Sequence, residues 1–192
     1  MTASSTGAVV IGASAGALEA LSSILPALPG DFASPVLVVV HVPPDRRSVL
    51  SELFAAKCRL AVKEAEDKEP ICRGTVYFAP PDYHLLVETD KSIALSSDEA
   101  VMFSRPSIDV LFETAAEAYG SELTAIVLTG ANSDGSLGLK AVLAAGGTAL
   151  IQDPEKAFAS TMPQAAIEAC KTGRVMSLEQ IANYLRGAIG AS

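Results

Sequence analysis

The sequence predicts an α/β protein: a three-layer, doubly wound fold around a mostly parallel sheet, with one antiparallel hairpin. Short runs at 9–11, 36–40, 125–128 and 148–151 are rich in β-branched residues and apolar throughout. Continuous apolarity, as opposed to alternation, is the pattern of parallel strands covered on both faces. Between these runs lie stretches with apolar residues at helical spacing, which suits helices packed on the two sides of the sheet.

Each element has its own signal. Leu18, Leu21, Ile24, Leu25 and Leu28 mark the first helix, and Ile108, Leu111, Phe112, Ala115 and Tyr119 mark a central one. The central helix follows Pro106 and Ser107, with Ser107 in the place of an N-cap,. Gly146 and Gly147 end the helix that contains Leu139, Ala141 and Val142, because glycine supplies the left-handed residue a helix terminus needs,. Ser177 and Gln180 have the spacing of a capping box that opens a last helix near 178–188,. The stretch from 75 to 97 differs. Runs at 75–79, 85–88 and 93–96, with turns at Pro80-Pro81-Asp82 and Thr89-Asp90-Lys91, predict an antiparallel hairpin attached to the main sheet,. No repeat, low-complexity tract or linker divides the chain, so residues 1–192 are expected to form a single domain,.

Composition narrows the function. Half of the 192 residues are apolar (49%) and the formal net charge is −8. Nucleic acid or an anionic membrane as the main partner calls for clustered Lys and Arg. The one basic pair, Arg46–Arg47, reads as a solvated loop or helix start. Cys58, Cys72 and Cys170 cannot all pair within the chain and none has CxxC spacing, so reduced thiols are expected,. The first seven residues lack the basic-then-apolar order of a signal peptide,. No apolar run reaches the ~20 residues of a membrane span. A soluble, cytoplasmic protein without membrane insertion is the expectation.

Three loops at the ends of three strands each carry a reactive side chain, and ligands of open α/β sheets bind at that edge. The first is Gly12-Ala13-Ser14-Ala15-Gly16, a G-x-S-x-G between strand and helix, whose small residues allow a turn that lifts the serine hydroxyl above the sheet. The second carries His41, one of only two histidines, directly after the 36–40 run. The third, Leu128-Thr129-Gly130-Ala131-Asn132-Ser133-Asp134-Gly135, contributes Asp134. Taken singly, each has a plainer reading: Ser14 as a helix cap, His41 as a structural residue, Asp134 as an N-cap. Together they provide nucleophile, base and orienting carboxylate for acyl transfer. The chain order Ser…His…Asp is not one of the usual three, but geometry defines the device. A dinucleotide site fits poorly. Ser14 and Ala17 replace the second and third glycines of that fingerprint, and His41 stands where an acidic residue would hold the ribose,.

With these residues in view, the chain resembles the catalytic domain of the protein-glutamate methylesterases of bacterial chemotaxis, the CheB type, from Val9 to about Leu185. The resemblance rests on Ile11-Gly12-Ala13-Ser14, His41-Val42-Pro43-Pro44, Gly74-Thr75-Val76-Tyr77-Phe78-Ala79-Pro80-Pro81, Pro106-Ser107-Ile108-Asp109-Val110-Leu111-Phe112, Leu128-Thr129-Gly130 with Asp134-Gly135, and Gln152-Asp153-Pro154 with Met162-Pro163. It implies a Ser14–His41–Asp134 triad, backbone oxyanion donors at Ala15 and Ala131, and neither metal nor organic cofactor. It implies as substrate the γ-glutamyl methyl esters of chemoreceptor cytoplasmic domains or similar signalling proteins, with glutamine deamidation as a second activity of some members. His84 matches a position where the family usually carries His, and a supporting role in the hairpin is expected of it.

The sequence departs from the family pattern in three places. Thr commonly follows the nucleophile where this chain has Ala15, and Met-Gly commonly stands where it has Ala131-Asn132. Typical members also carry an N-terminal phosphorylatable receiver domain. The first strand here begins within ten residues of Met1, so a stand-alone form not gated in cis is expected, with a different ester or a non-catalytic docking role as the alternatives.

Overall fold

The computed structural model describes residues 7–41 and 49–188. The Arg46–Arg47 pair and Val42-Pro43-Pro44 lie outside them. In chain order the elements are β1 (Ala8–Ala13), α1 (Ala17–Ile24), β2 (Val36–Val40), α2 (Leu50–Ala55), β3 (Ala61–Glu64), β4 (Thr75–Phe78), β5 (His84–Val87), β6 (Ile93–Ser96), α3 (Ile108–Tyr119), β7 (Leu123–Val127), α4 (Ser136–Ala144), β8 (Thr148–Gln152), α5 (Thr161–Ala169), β9 (Arg174–Met176) and α6 (Leu178–Ala188).

Seven strands form one sheet in the order β3-β4-β2-β1-β7-β8-β9, and every pair is parallel. The chain leaves β1 toward β2 on one side and later returns to β7 on the other, so the winding direction reverses at β1. Every residue of β1 and β2 is buried, as continuous apolar strands in a covered parallel sheet should be. Their side chains divide by alternation. Val9, Ile11, Ala13, Val36, Val38 and Val40 pack with α1, α2 and α6. Val10, Leu37 and Val39 pack with α3, α4 and α5. The fold is therefore the three-layer, doubly wound arrangement expected.

The 75–96 region is arranged differently from the expectation. Its first strand, β4, enters the main sheet in parallel between β3 and β2. β5 and β6 pair antiparallel, as a separate two-stranded sheet. This hairpin rests on α3 instead of extending the main sheet: Leu85, Val87 and Ile93 join the α3 side of the core, and the backbone N–H of Val87 donates to Thr114 Oγ1 at 3.1 Å. The capping box of α6 closes in both directions, Ser177 N–H to Gln180 Oε1 at 2.8 Å and Gln180 N–H to Ser177 Oγ at 3.2 Å. The three cysteines are free thiols. Among the described residues no helix is long and apolar enough to cross a membrane.

Two glycines separate packing from propensity. A Cβ on Gly12 would stand 2.3 Å from Ile108 Cγ2, whereas one on Gly187 meets nothing within 4 Å. Gly12→Ala is therefore expected to destabilise the protein by about 1–3 kcal/mol, because α3 cannot retreat without opening the core. Gly187→Ala, on an exposed face of α6, should instead stabilise by up to about 1 kcal/mol. Urea unfolding of the two variants measures both.

Candidate active site

The sheet's hydrogen-bond ladder continues past the strand ends and sets the reactive loops side by side. His41 N–H donates to Ala13 O at 3.1 Å, Leu128 N–H to Gly12 O at 2.9 Å, and Ser14 N–H to Thr129 O at 2.9 Å. Ser14, His41 and Thr129 thus stand at the carboxyl ends of neighbouring strands, whose spacing is roughly 4.7–4.9 Å. Ala13 and Val40 face the α1 side, so alternation turns Ser14 and His41 toward the α3 side.

The turn after β1 needs its glycine. Gly16 is the N-cap of α1 with φ +83°, and a Cβ there would meet the Phe158 side chain at 2.6 Å. Ser14 does not cap the helix with its side chain; its backbone carbonyl accepts from Ala17 N–H at 3.0 Å. Phe158 is 78% exposed at the rim beside this turn. Thr129, 1% exposed, ties the turn down: its hydroxyl donates to Ala15 O at 2.8 Å and accepts from Ala159 N–H at 2.9 Å. Gln152 Oε1 in turn accepts from Thr129 N–H at 2.8 Å.

Asp134 is fully buried and surrounded by donors. Its Oδ2 accepts from His41 Nε2 at 2.8 Å and from Ile108 N–H at 2.7 Å. Its Oδ1 accepts from Asp109 N–H at 2.9 Å and from Ser107 Oγ at 3.0 Å. The carboxylate therefore caps α3, which is not the helix it precedes; α4 begins at Gly135 without a side-chain cap. Ser107 occupies the N-cap position of α3 as expected, but its hydroxyl serves Asp134 and makes no cap bond. Burial pushes the Asp134 carboxyl up; the hydrogen bonds from His41, Asp109 and Ile108 outweigh it and hold the group below the ordinary carboxylate range,.

An ionised Asp134 can only accept, so the neutral form of His41 carries its proton on Nε2 and has its lone pair on Nδ1. Asn132 Nδ2 lies 3.2 Å from that Nδ1. Among the described residues the Ser14 hydroxyl makes no hydrogen bond, so the structure joins Asp134 to His41 but does not close a bond from His41 to Ser14. The backbone N–H groups of Ala15 and Ala131 likewise make no hydrogen bond within the protein among the described residues. His84 lies apart from the pair. It is buried at 2% exposure, its Nδ1 accepts from Ser107 N–H at 3.1 Å and its Nε2 donates to Glu99 O at 2.9 Å. It braces the hairpin against the start of α3, and is linked to His41 through Ser107 and Asp134. Among the described residues no cluster of three or more His, Cys, Asp or Glu is arranged to hold a metal ion.

Comparison with known proteins assigns the family. The family model described as CheB methylesterase matches residues 9–185. The chain belongs to the CheB methylesterase family. It is 50% identical over 175 residues to a putative protein-glutamate methylesterase/protein-glutamine glutaminase of Leptospira interrogans, covering 91% of each chain. It is 35% identical over 182 residues to the protein-glutamate methylesterase/protein-glutamine glutaminase of Desulfotalea psychrophila, covering 92% of this chain and 50% of the relative. The crystal structure of the Thermotoga maritima CheB methylesterase catalytic domain superposes with a TM-score of 0.91 at 35% identity, over 96% of this chain and 100% of that one. The CheB-type fold thus accounts for the whole sheet and for the hairpin.

Thr129, Asn132 and Gln152 were not singled out by the sequence as site residues. Thr129 and Gln152 stand in two of the motifs that carry the family resemblance, but nothing local in the sequence shows what either side chain bonds to. Asn132 stands out only as a departure from the family's Met-Gly.

A second buried carboxylate sits one residue inside α3. Asp109 is 3% exposed; Oδ1 accepts from Gly138 N–H at 2.6 Å, while Oδ2 has no hydrogen-bond partner among the described residues. Burial pushes its pKa up to about 6, helped by the nearby Asp134 charge and opposed by the Gly138 hydrogen bond. A carboxyl whose pKa is raised on folding binds more protons folded than unfolded between its two pKa values. Its stabilisation is complete below the unfolded value and is lost as pH rises through about 6,. Wild type should therefore lose roughly 2–3 kcal/mol from this group between pH 4 and pH 7. Asp109→Asn should lack that loss, as read from urea midpoints across the range.

Proposed function

We propose that the chain is a serine carboxylesterase that demethylates γ-glutamyl methyl esters on chemoreceptor cytoplasmic domains or a related signalling protein. The observation that carries this reading is the 2.8 Å His41–Asp134 pair, buried on the Asp134 side, beside the Ser14 turn at the carboxyl ends of adjacent strands. Its relatives are named for methyl-ester hydrolysis and glutamine deamidation of proteins, and both reactions suit one acyl-enzyme route.

Ser14 Oγ attacks the γ-carbonyl carbon as His41 takes the hydroxyl proton on Nδ1, the ring nitrogen that Asp134 leaves with a lone pair,. Asp134 holds the ring and stabilises the imidazolium without taking its proton, as in the triad template, although there the carboxylate faces the other ring nitrogen. The tetrahedral oxyanion is received by the Ala15 N–H, beside the positive end of α1, and by the Ala131 N–H, neither of which bonds to a protein acceptor among the described residues,. The imidazolium returns its proton to the departing oxygen and methanol leaves. Water, deprotonated by the same nitrogen, then attacks the acyl-enzyme, releasing glutamate and free Ser14. A glutamine carboxamide would follow the same course with ammonia as the leaving group. No step calls for a metal or an organic cofactor. A substrate on the cytoplasmic part of a receptor places the protein in the cytoplasm.

The test is methanol release from a methylated chemoreceptor cytoplasmic fragment. Wild type should release methanol, and Ser14→Ala should lose at least about 10³-fold in rate while unfolding at the wild-type urea midpoint. Equal release by both proteins would remove Ser14 from the mechanism. No release by either, with no labelling of Ser14 by a fluorophosphonate, would turn the site into a docking surface.

A further inference from the structure

The lone pair that Ser14 needs is already in use. Asn132 Oδ1 accepts from the backbone N–H of Asp134 at 3.0 Å. Because that backbone group can only donate, it fixes which end of the amide is oxygen. Asn132 Nδ2 is therefore the atom at 3.2 Å from His41 Nδ1, and it donates there,. A neutral imidazole has one lone pair, and Nε2–H is committed to Asp134 at 2.8 Å. In this resting arrangement His41 is satisfied at both nitrogens, while the Ser14 hydroxyl is unbonded among the described residues.

We infer that Asn132 is a positioning residue that acts as a brake on the base: it holds the His41 Nδ1 lone pair, and Ser14 becomes a nucleophile only when its hydroxyl displaces the Asn132 amide. This rests on Ser14 and His41 being the nucleophile and base proposed above. The amide favours the neutral ring, because its N–H hydrogens point at the nitrogen that must gain a proton. Once His41 is an imidazolium, Nδ1–H and the Asn132 N–H groups oppose each other. The interaction is therefore stronger in the ground state than in the transition state, which is the sign that slows a reaction. The family's commoner glycine at this position has no side chain to do this, so the brake belongs to this chain's Ala131-Asn132 sequence.

Two substitutions separate the brake from the turn it sits in. Asn132→Gly removes the donor and also the acceptor for Asp134 N–H. Asn132→Ser keeps a short acceptor for Asp134 N–H, but its side chain is one heavy atom too short to repeat the reach to His41. Both variants are expected to accelerate fluorophosphonate labelling of Ser14, and to raise kcat on a small activated ester with KM unchanged, by about five-fold, the value of one neutral hydrogen bond. The ¹⁵N resonance of His41 Nδ1 should move toward that of an unbonded ring nitrogen in both. A residue that merely supported the loop would lower kcat on removal. Wild type that labels at Ser14, with folded Gly and Ser variants labelling no faster and an unmoved Nδ1 resonance, overturns the brake alone. Failure of all three proteins to label overturns both the brake and the esterase reading.

Discussion

The site depends on one buried anion. A carboxylate removed from water is costly unless donors replace the lost solvent, and Asp134 is provided with four: two backbone N–H groups of α3, the Ser107 hydroxyl and His41. The arrangement binds the fold and the chemistry together. The α3 N-terminus needs an acceptor for its free N–H groups, the imidazole needs an orienting charge, and the same carboxylate answers both. His41 is thereby referenced to α3 and to the α4 loop at once, and its ring cannot turn without leaving Asp134 one donor short.

The parallel sheet provides the second reference frame. Ser14 and His41 are joined through the backbone ladder, His41 N–H to Ala13 O, and Thr129 continues it on the other side. Their separation is set by strand spacing, which the buried strands hold firmly. Sites on such elements are positioned more tightly than sites on long loops. The Ser14 turn and the loop after β7 are pinned. Thr129 spans from the Ser14 turn to Ala159, and Gly130 exchanges backbone bonds with Ala159 and Met162. Placement at the point where the winding reverses follows from the same frame, since there the helices on either side diverge and leave an open edge.

How much of this was legible depends on burial. β1, β2, β7 and β8 declare themselves because both faces are covered, so each is a continuous apolar run. The edge strands do not. β3 is Ala61-Val62-Lys63-Glu64 with no buried residue, and β9 is three residues long with Arg174 and Val175 exposed. Only Val62 of β3 and Met176 of β9 pack, partly buried, against the core, too few residues to make a pattern. β4 was visible as a strand, but its partner was not: pairing with β2 joins residues far apart in sequence, and the nearby β5 was the obvious candidate. Ser14, His41 and Asp134 were legible as residues because each follows a readable strand or precedes a readable helix. The bond from Asp134 to α3 was not, because local sequence suggests that an Asp before a helix caps that helix. Tertiary packing brought a different helix end to it.

The two carboxylates at the start of α3 show how position alone divides their behaviour. Asp134 lies off the helix end, where the free N–H groups converge, and four donors keep it ionised despite complete burial. Asp109 lies inside the first turn with its side chain toward α4, where Gly138 N–H donates to Oδ1 and Oδ2 has no hydrogen-bond partner among the described residues. The helix terminus has one set of free donors, and Asp134 has taken it. Asp109 meets burial and the Asp134 charge with little in return, and its pKa rises to about 6. Environments that push two neighbouring carboxyls apart assign them different work. Here the division leaves the negative charge against the His41 ring, and places the carboxyl whose pKa is about 6 within the α3–α4 contact, where no atom of His41 bonds to it.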